Sequence, residues 1–569
     1  MPAPAQNPLN DAIRASRSYL LAAFGFSLAI NLLYLASPLY MLQVYNRVVT
    51  SGSQITLVLL TVILLVALGA LAVLDGVRTR ILTRMGLRLD RLLADSVLAA
   101  SFRAPPGDAR PRALRDFDTV RQFVGSGSLS SLLDLPWVPL YIAAAFLLHP
   151  LIGWFTLSGA TILLCLAIVN ELLLSSAMRD VGEAAQKGHA YAEMSLRNAE
   201  VVEAMGMLPG IIARWRRDRN RFLARQSETA DRSLAMGGLI KFLRLAMQSL
   251  VLGLGAWLAV ERLVSAGAMF AGTFLLGRAL QPIEQIVGSW RNIVAARSAY
   301  MRVHDLLALA PKDGDRMGLP RPMGAVSVEG LRYAAPRTTR YILRDVNFSL
   351  HAGEALGIIG QSGAGKSTLL RVLVGVLPPS TGAVRLDGAE LQSWPRQQLG
   401  RHIGYLPQDV ELFADTIAAN ISRFTRGPES EIIAAAEMAG VHEMILRLPD
   451  GYNTEVGEGG AVLSGGYRQR IGLARAVFGN PSLVVLDEPS SNLDADGETA
   501  LGDCIARLKA LGTTVVMVSH RPATVATMDR LLVMRDGAVD GFGLREEITN
   551  RLQQAAARPA RPEPKVAHG

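Results

Sequence analysis

Gly360-Gln361-Ser362-Gly363-Ala364-Gly365-Lys366-Ser367 is the stretch on which the reading of this chain turns. It fits G-x-x-x-x-G-K-[ST] in full. The flanks agree: the apolar run Ala355-Leu-Gly-Ile-Ile reads as a strand before it, and Thr368-Leu-Leu-Arg-Val-Leu reads as a helix after it. Glycines let backbone N–H groups curl round phosphates at a helix N-terminus. Lys366 suits β- and γ-phosphate charge, and Ser367 suits a magnesium ion. Further on, Leu483-Val-Val-Leu-Asp487-Glu488 reads as a buried strand ending in two carboxylates. Asp487 suits the metal's shell, and Glu488 can orient or polarise an attacking water.

Around this core the pattern is α/β, with short apolar strands and Gly-rich turns alternating with helical stretches over residues 326–548. Upstream, 305–325 reads as a linker, since Ala308 to Pro322 holds three prolines and two glycines. Downstream, 549–569 reads as a disordered tail of Ala, Pro and charge.

The preceding half has another character. The chain of 569 residues is 50% hydrophobic and only 19% charged, below the roughly 25% charge of soluble domains. Residues 1–310 hold 30 Lys/Arg against 20 Asp/Glu, and the remainder 28 against 29, so the whole excess of +9 lies with the apolar half. That is a membrane pattern, and nucleic acid is not expected as a partner. Two cysteines, Cys165 and Cys504, exclude a disulfide framework and a Cys-based zinc site.

Residues 18–46 and 48–74 carry no charged residue, and each is long enough to cross a hydrocarbon layer of about 30 Å. Residues 135–170 form a third uncharged run, which His149-Pro150 divides into a hairpin of two spans. Weaker runs at 245–260 and 263–277 complete six, with Trp257 and Trp290 suited to interfacial ends. The first run is too long for a secretion signal, so it reads as a retained helix after a short N-terminus, 1–18. The long loops 76–131 and 172–241 hold 10 and 11 Lys/Arg, and the short connections only Arg47 and Arg262. By the positive-inside rule, the long loops and both chain ends are cytoplasmic.

Within the last span, Arg278 falls near mid-bilayer, with Gln281 and Gln285 on its face and Pro282 expected to bend the helix. A charge at that depth commonly faces a water-filled cavity, so these three are read as a pore-lining stripe. The alternative is a shifted helix from which Arg278 snorkels to the interface.

Over about residues 326–545 the chain resembles the ATP-binding cassette (ABC) transporters. Leu463-Ser-Gly-Gly-Tyr-Arg-Gln-Arg470 resembles the signature motif of that family, although Tyr467 stands where glutamine is commoner. Gln408 resembles its Q-loop residue, Asp494 in Ser491-Asn-Leu-Asp494 its D-loop, His520 its switch histidine and Tyr333 its adenine-stacking aromatic. The resemblance implies a membrane α-helical domain (six transmembrane helices, ABC exporter type, over 19–304) plus an α/β P-loop nucleotide-binding domain. It implies a homodimer in which each ATP lies between one phosphate loop, Gly360 to Thr368, and the partner copy's Ser464, Gly465 and Gly466. Lys366, Glu488 and His520 would be catalytic, with Glu488 the hydrolytic base and His520 the γ-phosphate sensor. Ser367, Gln408 and Asp487 would hold Mg²⁺.

Fusion of membrane domain to cassette, with long basic loops, resembles the exporters. Thr454-Glu-Val-Gly-Glu458-Gly-Gly resembles their loop before the signature, which meets coupling helices expected near 110–122 and 198–210. Ser37-Pro-Leu-Tyr-Met-Leu-Gln-Val-Tyr-Asn-Arg-Val-Val, Asp134-Leu-Pro-Trp-Val-Pro-Leu-Tyr and Leu280-Gln-Pro-Ile-Glu-Gln together resemble the inner-membrane ATPase of type I secretion, in its protease-secreting branch. That resemblance implies a multi-pass protein of the bacterial inner membrane, working with a periplasmic adaptor and an outer-membrane channel. Its substrate would be an unfolded secreted polypeptide with a C-terminal signal, often of the RTX type. With about 18 residues before the first span, an N-terminal peptidase domain is not expected. Two rivals are a lipid or drug flippase and a soluble ABC ATPase of the DNA-repair kind.

Overall fold

The computed structural model describes residues 7–103, 112–309, 318–335, 338 and 340–557. The chain divides into two compact units, 1–311 and 312–569.

The first unit is helical. Helix α1 (Pro8–Ala15) is N-capped by the Asn7 side chain and buries Leu9 and Ala12 in a cluster with Leu89, Leu93, Val303 and Leu307. Helices α2 (Arg17–Leu33) and α3 (Ala36–Gln43) continue into a π-helical turn, Val44–Val48. Then follow α4 (Gln54–Arg103), α5 (Ala113–Val124), α6 (Gly127–Asp134), α7 (Val138–Leu148), α8 (Pro150–Arg197), α9 (Ala199–Ala204), α10 (Leu208–Val260), α11 (Ala266–Gly288) and α12 (Trp290–Leu309).

Among the described residues five stretches are long and apolar enough to cross a membrane: Arg17–Ser51, Gln54–Arg103, Gly127–Leu148, Pro150–Asn170 and Leu208–Val260. The sixth expected span is α11, whose 23 residues suffice in length. Its composition falls short because Arg278, Gln281, Glu284 and Gln285 crowd its second half. Along the first half of α4, Ile55, Val62, Val66 and Val73 are all exposed, an apolar face of the kind that lipid covers.

The basic segments read as loops are mostly helix. Helices α4, α8 and α10 run 50, 48 and 53 residues, or about 75 Å each at 1.5 Å per residue. The helices continue past the apolar stretches into the charged ones, so the onset of charge does not mark where a helix stops. Of the two expected coupling helices, the first falls partly outside the described residues and the second contains α9. Pro282 sits inside α11 without ending it.

The second unit is α/β. Strands β1 (Val326–Ala334), β2 (Tyr341–Leu350), β4 (Thr381–Leu386) and β5 (Ala389–Glu390) form an antiparallel sheet in the order β2-β1-β4-β5. Strands β3 (Ala355–Gly360), β6 (Ile403–Leu406), β7 (Leu483–Asp487), β8 (Thr514–Val518), β9 (Arg530–Arg535) and β10 (Ala538–Leu544) form the other, ordered β10-β9-β3-β8-β7-β6. All but β10 run parallel. Strands β7 and β8 are buried at every position, as strands of a parallel sheet covered on both faces must be.

Two expected boundaries shift. Helix α12 occupies the first five residues of the expected linker, and 310–317 lie outside the described residues. A final helix, Arg545–Ala557, occupies the start of the expected tail, and 558–569 lie outside the described residues.

One residue without a motif holds much of this unit together. Arg423, at φ +56°, donates to the carbonyls of Gly400 (2.7 Å), Ile403 (3.2 Å), Arg475 (2.8 Å) and Ala476 (2.8 Å). Burial, with Arg475 nearby, pushes its guanidinium down to about 10, so it stays charged at neutral pH. Arg423→Met removes every one of these bonds and is expected to destabilise the unit by about 2–3 kcal/mol, measured by calorimetry against the unmodified chain.

Candidate functional site

Register places the site. Strand β3 aligns Ala355 with Val515 and Ile358 with Val518, and β7 aligns Asp487 with Val518. The C-terminal ends of β3, β7 and β8 therefore lie level, the edge at which open α/β sheets bind ligands. The phosphate loop, Glu488 and His520 all leave the sheet there.

The loop runs from β3 into α13 (Lys366–Leu373). Gly363 and Gly365 take φ +80° and +92°, a region that favours glycine. A Cβ on Gly360 would sit 2.3 Å from the Met534 carbonyl oxygen. The Lys366 ammonium folds back on its own loop, donating to the carbonyls of Gly360 (2.8 Å) and Gln361 (2.9 Å). Ser367 Oγ donates to Asp487 Oδ1 at 3.2 Å. Burial pushes the Asp487 carboxyl up, the Ser367 bond pulls it down, and the Glu488 charge adds to the rise.

Glu488 follows at φ +50°, a conformation costing about 1–2 kcal/mol for a residue with a side chain. Such strain persists where the surroundings over-determine it. Here Gln408 Nε2 donates to Glu488 Oε2 (3.2 Å), and His520 Nε2 lies 3.5 Å from Oε1. The two flank one carboxylate that is 30% exposed, so a water can reach it.

Ser464 caps the signature helix α14 (Gly465–Val477), its hydroxyl accepting from the Tyr467 amide. Among the described residues no hydrogen bond joins Ser464, Gly465 or Gly466 to the phosphate loop. The helix is tied instead to the segment after Glu488. Gln469 Nε2 donates to the Pro489 carbonyl (3.0 Å), and Arg470 donates to Asp494 Oδ1 (2.7 Å). Asp494 also caps α15 (Ala495–Ala510), accepting from the Gly497 amide. That amide first, then Arg470, holds its carboxyl below the usual range. Gln469 and Arg470 stood inside the signature stretch, but their partners emerge only from tertiary packing. Tyr333 is buried, in one apolar cluster with Leu343 and Ala364, and is not an open platform.

The membrane unit holds a second polar assembly. Arg278, Gln281 and Gln285 line one cavity of about 630 Å³, together with Asn31, Tyr34 and Asp134. Arg278 donates to Gln281 Oε1 (2.8 Å), and Ser131 Oγ donates to Gln285 Oε1 (2.9 Å). Beside them a network joins helices far apart in sequence. Arg78, 6% exposed, donates to Ser27 Oγ (2.9 Å), Asp134 Oδ1 (2.7 Å) and Asp75 Oδ1 (2.7 Å). Asn31 donates to Asp134 (3.0 Å), and Tyr141 donates to Asn31 Oδ1 (2.7 Å). Sequence reading assigns no role to Arg78, Asn31 or Tyr141 individually, although Tyr141 ends the stretch that begins at Asp134. The available signal was Asp134, a lone acid at the head of the uncharged run 135–170.

A family model described as the ABC transporter transmembrane region matches residues 20–282, and one described as ABC transporter matches 343–491. The chain is 42% identical over 547 residues to "Type I secretion system ATP-binding protein PrsD" of Rhizobium meliloti (strain 1021), covering 95% of this chain and 94% of that one. It is 28% identical over 548 residues to "Leukotoxin translocation ATP-binding protein LktB" of Bibersteinia trehalosi, covering 94% and 77%. A bacterial Atm1-family ABC exporter solved with ATP bound shares the fold, with a TM-score of 0.82 at 22% identity over 96% of this chain and 99% of that one.

Proposed function

This chain belongs to the ABC transporter family, on its type I secretion branch, and from that premise we propose that it hydrolyses ATP to export unfolded polypeptides of the C-terminal-signal, RTX-like class. The reading makes it the inner-membrane component, a homodimer that works with a periplasmic adaptor and an outer-membrane channel. Its N-terminus, cassette and C-terminus would be cytoplasmic.

One observation carries the polypeptide reading: the cavity at Arg278, Gln281 and Gln285 is walled by side-chain amides, hydroxyls and ions inside an apolar bundle. Extended chain presents amide groups that need polar partners and exclusion from lipid. A flippase for lipid or apolar drugs has less use for such a wall.

The hydrolytic site suits ATP and magnesium. Ser367, Asp487 and Gln408 offer hydroxyl, carboxylate and amide oxygens, the hard donors that Mg²⁺ prefers. Bound there, the ion would neutralise charge on the phosphates. Lys366 exchanges its carbonyl partners for β- and γ-phosphate oxygens, while the loop from Gly360 to Thr368 wraps them with N–H groups. Gln408 and His520 aim the Glu488 carboxylate, which takes the proton of the water attacking the γ-phosphorus as ADP leaves. Ser464, Gly465 and Gly466 close on the ATP of the other copy, with Asp494 at the same junction.

Ser367→Ala is expected to lower Mg²⁺-dependent ATP turnover by roughly 10–100-fold, as losses around metal sites do. Unchanged turnover across a magnesium titration would remove Ser367 from the site. The whole reading is tested by purifying the Glu488→Gln chain with ATP and Mg²⁺ from its native membrane and identifying co-purifying species by mass spectrometry. An adaptor protein, with or without a polypeptide, is the expected result; lipid alone would favour the flippase.

A further inference from the structure

Arginines inside the helical bundle differ in one respect. Arg78 meets Asp134 and Asp75, both at 2.7 Å, and Arg244 meets Glu284 at 2.7 Å. Arg278 meets no acid: among the described residues no carboxylate oxygen lies within 4.0 Å of its guanidinium. Among the described residues its one hydrogen bond is to a neutral amide, Gln281 Oε1. Beneath it the Tyr34 ring lies 3.5 Å from the guanidinium carbon, holding the plane flat by cation–π attraction.

A guanidinium has five N–H donors in a fixed fork that matches a carboxylate. Here that fork borders a cavity of about 630 Å³, within the range of about 300–1,000 Å³ typical of ligand sites. A lone cation in an apolar bundle gains more from an anion than one in water does. The acids nearby, Asp75 and Asp134, are already committed to Arg78.

Resting on the export reading above, we propose that Arg278 is the cavity's receptor for carboxylates of the transported polypeptide, its Asp or Glu side chains. Tyr34 and Gln281 are positioning residues that keep the fork aimed. The cavity thereby favours acidic over neutral segments of otherwise similar chain.

The test uses the full-length chain in phosphatidylcholine nanodiscs and two fluorescein-labelled probes, (Ser-Glu)₁₀ and its neutral isostere (Ser-Gln)₁₀. Anisotropy is read at high salt, where the exposed arginines between Arg214 and Arg225 on α10 are screened. The acidic probe is expected to bind about tenfold more tightly, the equivalent of one paired charge at 1.4 kcal/mol. Arg278→Gln should abolish that preference while (Ser-Gln)₁₀ still binds, which shows the variant to be folded. Arg278→Lys should keep part of it, since an ammonium supplies charge without the fork. Equal binding of both probes by the unmodified chain, or a preference that survives Arg278→Gln, overturns the carboxylate receptor and leaves polypeptide export standing. Binding of neither probe also overturns it. If phosphatidylglycerol then stimulates ATP turnover in an Arg278-dependent way, the anion is a lipid phosphate and the export reading falls as well.

Discussion

Replacing Glu488 with Gln should cut ATP turnover by roughly 10²–10⁴-fold, the usual contribution of a positioned general base, while ATP binding persists. The substitution is nearly isosteric, and the amide can still meet Gln408 and His520, which lie 3.2 and 3.5 Å from the present carboxylate oxygens. Backbone strain at φ +50° is the same for either side chain, so folding is not at stake. What would disappear is the basic oxygen proposed to accept the proton of the attacking water. Two assays separate the roles: nucleotide binding by fluorescent-analogue titration, and phosphate release at saturating ATP. A variant that turned over at the unmodified rate would remove Glu488 from the role of base. The same variant should accumulate as a nucleotide-bound dimer, because release awaits a hydrolysis that no longer occurs.

The second large effect is expected in the helical unit. Asp134→Ala leaves Arg78 buried with its main acid gone, and breaking a buried pair from one side costs about 3–5 kcal/mol. Asp75 keeps its bond to Arg78 at 2.7 Å, but that acid is half exposed and already neutralised in part by solvent. Arg78→Met combined with Asp134→Ala should recover most of the loss, since it removes the stranded cation along with its partner. Unfolding in SDS, following the single and double variants together, gives the coupling directly. Additive losses would show that the pair does not act as a unit.

These two sites were unequally legible in the sequence. The phosphate loop, Asp487 and the signature stretch are runs of consecutive residues whose chemistry needs only a strand before and a helix after. Glu488, Gln408 and His520 lie apart in the chain, yet each follows a short apolar strand, and parallel register brings such strand ends level. Arg78 and Asp134 offered no such rule. They stand 56 positions apart on helices whose packing depends on side chains along their whole length, and one reads as a loop cation, the other as a span's edge. Arg423 was silent for a related reason: all four of its acceptors are backbone carbonyls, which every sequence has. The sixth span reads as weak because Arg278 and its polar neighbours, which line the cavity, lower its hydropathy. The long basic segments misled differently, since charge on a helix that leaves the bilayer looks like charge on a loop.

Those helices carry a mechanical consequence. A continuous α-helix is stiff, and a rod of about 75 Å that tilts by about 5° at one end sweeps its other end through about 6 Å. With α4, α8 and α10 all of this length, angular adjustments small enough to keep neighbouring side chains in touch become displacements of atomic-contact size at the far tips. Were these helices to rock in this way, the helical unit would trade a small rotation for a long stroke at their tips.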